Sequence, residues 1–349
     1  MTVRVLIWGL GAMGSGMAKL ISQKQGIEMA GAIVRNTHGA ANLRQYLGDD
    51  SLPDVPVVSE PSKLLGHVDA DLALICTASF TKEVFEQLQA ALGAGLNVIT
   101  IAEQMANPWV DEPELAQRLD TLARIKGVTI VGTGINPGFV LDTLIIALTG
   151  VCAEVRSLKA ARINDLSPFG PTVMMTQGVG TTPEGFAQGL KDGSIVGHVG
   201  FRESMGMIAD ALGWNLDEIR ETREPIISKT HRETPYVTVE PGQVAGCRHI
   251  AQGFVNGQVK ITLEHPQQVR PESEGVATGD YIWIDGTPPL NLTIKPEIPG
   301  GIGTIAMAVN LIPLVLQAAP GLRLMTDLPI PRAVMGDLTK TLAEIEAGR

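Results

Sequence analysis

Cysteine is scarce in this chain. Its three residues, Cys76, Cys152 and Cys247, are widely separated, and no two stand at metal-ligand spacing. They read as core thiols in a reducing compartment, without a disulfide framework. The six histidines do not cluster at ligand spacing either, so no metal is expected. Positive charge is in deficit: 27 Lys and Arg stand against 37 Asp and Glu, a formal net charge of −10, with no basic run. A nucleic-acid partner needs a basic face, and none is expected here. No stretch reaches the roughly 20 uninterrupted apolar residues of a membrane span, and the apolar start is too short for a signal-peptide core. A cytoplasmic protein with no membrane partner is the expectation. Internal repeats, low-complexity tracts and recognisable Ser or Cys nucleophile motifs are missing as well.

What is present is apolar and regularly patterned. Hydrophobic residues make up 44% and charged residues 18% of 349, enough for a large core in about two domains. Val3 to Trp8 reads as a strand and runs into Gly9-Leu10-Gly11-Ala12-Met13-Gly14, with a helix from Ser15 to Gln23. This is G-x-G-x-x-G between a strand and a helix. The first glycine permits the tight turn, the second lets backbone N–H groups approach a pyrophosphate, and the third lets helix and strand pack closely. Gly9, Gly11, Ala12, Met13 and Gly14 are therefore candidate dinucleotide-binding residues, with the phosphates at the helix N-terminus.

Strands at 28–35, 72–76, 97–101 and 128–131 alternate with helices at 82–92 and 114–125. That order predicts an α/β domain with a doubly wound parallel Rossmann sheet over 1–140. From Leu141 the pattern changes. A helix at 141–148, strands at 155–162, 249–255, 258–264, 281–284 and 290–294, and a helix at 201–212 predict a mixed α+β domain over 141–298 with a largely antiparallel sheet. The segment 299–349 opens with an apolar helix, Thr304 to Gln317, kinked or broken at Pro313, and is expected to return to the first domain.

An acid that would bind the 2′-hydroxyl of NAD is missing after the second strand, which ends Ile33-Val34-Arg35-Asn36-Thr37-His38. Arg35, Asn36 and Thr37 are candidates for a 2′-phosphate, so NADP is favoured and NAD stays possible. Arg35 is otherwise an exposed loop residue. Ligands of open α/β sheets bind beyond the carboxyl ends of the strands. Thr77, Ala78 and Ser79 are there to line the nicotinamide ribose, and Gly132 to Phe139, with Asn136, forms a third strand end or a hinge. Glu103 follows an apolar strand. Partial desolvation would raise its pKa and suit it to acid/base work; the alternative is a solvated loop carboxylate. In the second domain, Arg162, Asn164 and Thr172 lie in a polar, turn-rich segment after a strand. His198 is either structural or a donor to substrate, and Asn164 either binds or forms a turn.

Taken together, Ala102-Glu103-Gln104-Met105, Gly132 to Phe139 with Val140-Leu141-Asp142-Thr143, Arg162 to Thr172 and Gly197 to Phe201 resemble the 2,4-diaminopentanoate dehydrogenase family. That family belongs to the dihydrodipicolinate-reductase-like group and is related to native amine dehydrogenases. The reductase signature, a His pair with a following Lys and a Ser-Gly-Thr turn, is absent. The resemblance implies NAD(P)-dependent oxidative deamination at C4 of 2,4-diaminopentanoate, with Glu103 as acid/base. It implies that Asn136, Arg162, Asn164, Thr172 and His198 meet the substrate. Many relatives are expected to carry an acidic pair where this chain has Glu103-Gln104; a working carboxylate at the second position would here be a glutamine. A broad amine dehydrogenase acting on simple ketones, and an NADP-binding redox sensor without turnover, are the rival readings. A homodimer through the open sheet of the second domain is expected.

Overall fold

A computed structural model describes residues 2–347, which divide into two compact units: one formed by the chain up to Phe139 and again from Gly300 onward, the other by Val140–Pro299. The first begins β1 (Val3–Trp8), α1 (Ala12–Ser22), β2 (Ile27–Ile33), α2 (Leu43–Leu47), β3 (Val57–Val58), β4 (Leu72–Ile75), α3 (Thr81–Gly93), β5 (Asn97–Thr100), α4 (Pro113–Lys126) and β6 (Thr129–Gly132). α1 starts three residues earlier than the sequence pattern suggests, so Ala12 to Gly14 are its first turn. β4 is buried at all four positions, because a parallel strand covered on both faces has no solvent side.

The second unit comprises α5 (Thr143–Thr149), β7 (Glu154–Asp165), α6 (Pro171–Thr176), α7 (Pro183–Asp192), α8 (Phe201–Leu212), β8 (Glu218–Ile227), β9 (Arg232–Glu233), β10 (Thr238–Val239), β11 (Val244–Val255), β12 (Gln258–Gln268), β13 (Gly279–Thr287) and β14 (Leu290–Ile294). Its six-stranded sheet has the order β14-β13-β7-β12-β11-β8, antiparallel except where β12 runs parallel to β7. β8, α6 and α7 were not expected from the sequence. β8 is an edge strand reading Glu-Ile-Arg-Glu-Thr-Arg-Glu-Pro-Ile-Ile, polar on both faces, so no apolar alternation announces it.

The chain then returns with α9 (Gly300–Asn310), α10 (Ile312–Gln317), β15 (Gly321–Arg323) and α11 (Leu338–Glu346). β15 joins the edge of the first sheet, giving seven parallel strands in the order β15-β6-β5-β4-β1-β2-β3. The helix breaks at Leu311, two residues before Pro313, whose ring has no N–H and obstructs the carbonyl four residues back. By length and composition alone, Gly300–Gln317 is apolar enough to cross a membrane. Here it is interrupted, and Ala308, Val309, Leu311, Ile312, Leu314 and Val315 are buried in one core with Val5, Ile7 and Met17. A Cβ at Gly16 would sit 2.2 Å from Ile305 Cδ1, so that glycine allows α1 and α9 to approach closely.

Candidate active site

Strand order in the first sheet reverses between β4 and β1, the switch point at which open α/β sheets bind ligands. The glycine turn after β1 lies there. Gly9 has φ +99°, a left-handed conformation that favours glycine, and a Cβ on it would meet the Cys76 carbonyl at 2.8 Å. A Cβ on Gly14 would overlap the Gly9 carbonyl at 1.8 Å, whereas one on Gly11 would meet nothing within 4 Å. Gly14 is thus a packing glycine and Gly11 faces open space. No side chain caps the N-terminus of α1, so its first N–H groups stay available to an anion. These residues fit a dinucleotide pyrophosphate. Beyond β2, Arg35 and Asn36 are exposed and Thr37 half-buried, and Asn36 Oδ1 accepts the His38 N–H at 2.8 Å. After β4, Thr77 is exposed and donates to Gln87 Oε1 (2.5 Å), and Ala78 and Ser79 are half-buried.

Glu103 opens a 3-10 turn, Glu103–Ala106, just past β5. A Cβ on Gly132 would lie 2.0 Å from the Met105 carbonyl oxygen, so the turn rests on β6 only because residue 132 is glycine. On the other side, Gln104 N–H donates to the Ser79 carbonyl (3.1 Å), and Gln104 Oε1 accepts the Thr81 N–H (2.9 Å). Burial pushes the Glu103 carboxyl up from its ordinary value, against the pull of its own backbone N–H and the Ser79 hydroxyl. That is the condition of a general acid/base.

In the second unit, one face of the sheet carries a polar row. Asp280 pairs with Arg162 across β13 and β7, their side chains 1 % and 2 % exposed and Nη1–Oδ1 2.6 Å apart. Pairing of Ala161 with Glu264 sets Arg162 level with His265, which pairs with His249, which pairs with Arg223. The His198 ring packs edge-on against His265 (4.7 Å) and Phe201 (4.8 Å). His249 Nδ1 accepts the His198 backbone N–H (3.1 Å), so its own proton is on Nε2, facing Glu221 Oε2 at 3.0 Å. Glu221 also binds Arg223 at 2.6 Å. Burial, reinforced by the positive neighbours, holds His198 and His265 well below the usual imidazole range and lowers His249, so all three are neutral near pH 7.

Of the residues expected to meet substrate, Arg162, Asn164 and His198 therefore come together around this sheet face. Asn164 is buried beside Gln267, and its Oδ1 has no hydrogen-bond partner. Thr172 is exposed in the first turn of α6 and makes no hydrogen bond to the row among the described residues. Asn136 is half-buried, next to Pro137 in the segment between β6 and α5. Sequence reasoning missed Glu221, Arg223, His249, His265 and Asp280. Only the strand registers bring them together; the Arg162–Asp280 pair spans 118 positions. No group of His, Cys, Asp and Glu able to hold a metal is found among the described residues.

Residues 139–344 match the family model of the 2,4-diaminopentanoate dehydrogenase C-terminal domain. The chain belongs to the 2,4-diaminopentanoate dehydrogenase family. It is 47% identical to 2,4-diaminopentanoate dehydrogenase of Acetoanaerobium sticklandii over 347 residues, 98% of each chain. Residues 3–134 match an oxidoreductase family with an NAD-binding Rossmann fold; the chain is an NAD(P)-binding oxidoreductase of Rossmann type. An amine dehydrogenase of Streptomyces virginiae is 23% identical over 365 residues, covering 95% of this chain and 98% of that one. The structure of amine dehydrogenase from Mycobacterium smegmatis superposes with a TM-score of 0.85 at 26% identity, covering 96% of this chain and 98% of that one.

Proposed function

We propose that this chain catalyses the NAD(P)-dependent oxidative deamination of 2,4-diaminopentanoate at C4, giving 2-amino-4-oxopentanoate and ammonia, and the reverse reductive amination. The observation that carries the reading is 47% identity to the enzyme of that name over almost the whole of both chains. Glu103 gives it a mechanism. A bound nicotinamide supplies the acceptor for the C4 hydride. Glu103 takes the proton that leaves the C4 ammonium neutral, then places the water that adds to the iminium carbon, and returns a proton to the departing ammonia.

Arg162, Asn164, Thr172, His198 and Asn136 are the candidates for holding the amino-acid end. The sheet face that bears Arg162 carries two cations and two carboxylates, paired as Arg162–Asp280 and Arg223–Glu221. Such a face suits a zwitterion better than a lone anion. The unpartnered Asn164 Oδ1 is an acceptor for an α-ammonium. NADP is the favoured cofactor, because the loop after β2 offers Arg35, Asn36 and Thr37 and no acid. Thr77, Ala78 and Ser79 are assigned to the nicotinamide end. The three thiols are free, in keeping with a cytoplasmic location. The opposite sheet face, with Lys159 over Trp283 and Arg220 over Phe254, is the proposed homodimer surface, which gel filtration tests.

The test is reduced-nicotinamide formation with 2,4-diaminopentanoate, using NADP, then NAD, then a simple monoamine. Turnover on the diamine is expected, and Glu103→Gln should lower kcat/KM by about 100-fold or more. Arg35→Ala should raise the KM for NADP and leave that for NAD in place. Equal turnover on the monoamine would favour the broad amine dehydrogenase, a reading supported by the likeness to the Mycobacterium smegmatis enzyme. Tight NADPH binding without turnover would point to a redox sensor.

A further inference from the structure

We infer that Gln104 is a positioning residue for Glu103, clamping the loops after β4 and β5 to each other and so fixing where the turn that bears its carboxylate lies. The inference rests on the reading of Glu103 as acid/base and deepens it.

Two hydrogen bonds cross the two loops. The Ser79 carbonyl accepts from Gln104 N–H, and Gln104 Oε1 accepts from Thr81 N–H. The second bond is a helix cap. Phe80, at the N-cap position of α3, has no side-chain oxygen, and the first turn of that helix would otherwise lack a side-chain acceptor. A glutamate at 104 would accept the same bond and be kept ionised by the helix N-terminus. Position 104 is therefore a cap with either an amide or an acid, and the group that titrates is at 103. Gly132 closes the grip from the β6 side, where any Cβ would strike the Met105 carbonyl.

The test is the pH profile of kcat/KM for the full chain with 2,4-diaminopentanoate and NADP. Gln104→Ala should lower kcat by about 10-fold or more without moving the acidic limb, and Gln104→Glu should restore the rate. Full kcat in Gln104→Ala overturns the inference. So does Gln104→Glu as impaired as Gln104→Ala. A Glu103→Gln enzyme that keeps its activity overturns the acid/base reading and the inference together. An inactive Glu103→Gln beside a fully active Gln104→Ala overturns the inference alone.

Discussion

Asp280→Ala removes the carboxylate of a nearly waterless ion pair. Arg162 donates from Nη1 to Asp280 and from Nη2 to the Ile298 carbonyl, and Asp280 also accepts the Ile298 N–H at 2.9 Å. Without Asp280 the guanidinium is left buried and uncompensated, at a cost of about 3–5 kcal/mol. Spread over 349 residues, that lowers Tm by about 4–7 °C. The pair itself is a different matter. Burial pushes the Asp280 carboxyl up from its ordinary value despite the adjacent Arg162 charge, so desolvation outweighs attraction. An apolar pair of similar volume, Arg162→Met with Asp280→Leu, should then lose only the Ile298 hydrogen bonds, about 2 kcal/mol. Urea unfolding of the full chain, followed by far-ultraviolet circular dichroism, measures both variants. The expected order is wild type, double variant close behind, single variant far below. A double variant as unstable as Asp280→Ala would refute the reasoning, because it would show the pair to be net stabilising.

Glu274 sits against the buried Arg232 guanidinium (2.7 Å) and the Lys229 N–H (2.7 Å), which outweigh burial and bring its carboxyl down to about 2. A depressed carboxyl stabilises the fold above its unfolded value and loses that contribution as pH falls through the folded one. Glu274→Gln should therefore cost about 2–3 kcal/mol near neutrality, and its gap to wild type should narrow steadily between about pH 4.5 and 2 in chemical denaturation. Gly132→Ala should displace the turn bearing Glu103 and lower kcat by about 100-fold. NADPH binding, read by nucleotide fluorescence, should survive; its loss would place the damage elsewhere.

The cofactor half of the site was legible because its signals are local. Gly9, Gly11 and Gly14 lie within one turn and its helix, and the wholly apolar strand Leu72–Ile75 shows its double burial directly. The desolvation of Glu103 was legible for the same reason, at the end of such a strand. The role of Gln104 was not, since the partner that defines it, Thr81, is 23 positions away on another loop. The second unit hid most. His249 and His265 are ordinary residues in two strands until antiparallel pairing sets them side by side. Glu221 and Arg223 belong to an edge strand whose charges read as solvated, although one face of it is turned toward His249. His198 was singled out, but the dyad holding its backbone, His249 with Glu221, follows only from register.

The first unit is assembled from two pieces of chain with the whole of the second unit translated between them. Strands β1 and β6 and helix α1 are made early, yet the apolar side they share is covered by Val309, Leu311, Ile312, Leu314 and Val315, and β6 gains its outer neighbour only with β15. The glycine cradle, synthesised well before residues 300–323, is thus mounted on a scaffold that stays incomplete until they have emerged. Contacts so distant in sequence close slowly, and the inserted unit, contiguous in the chain, is free to fold first. In biosynthetic order, the half that holds the nucleotide matures after the half that carries the histidine row.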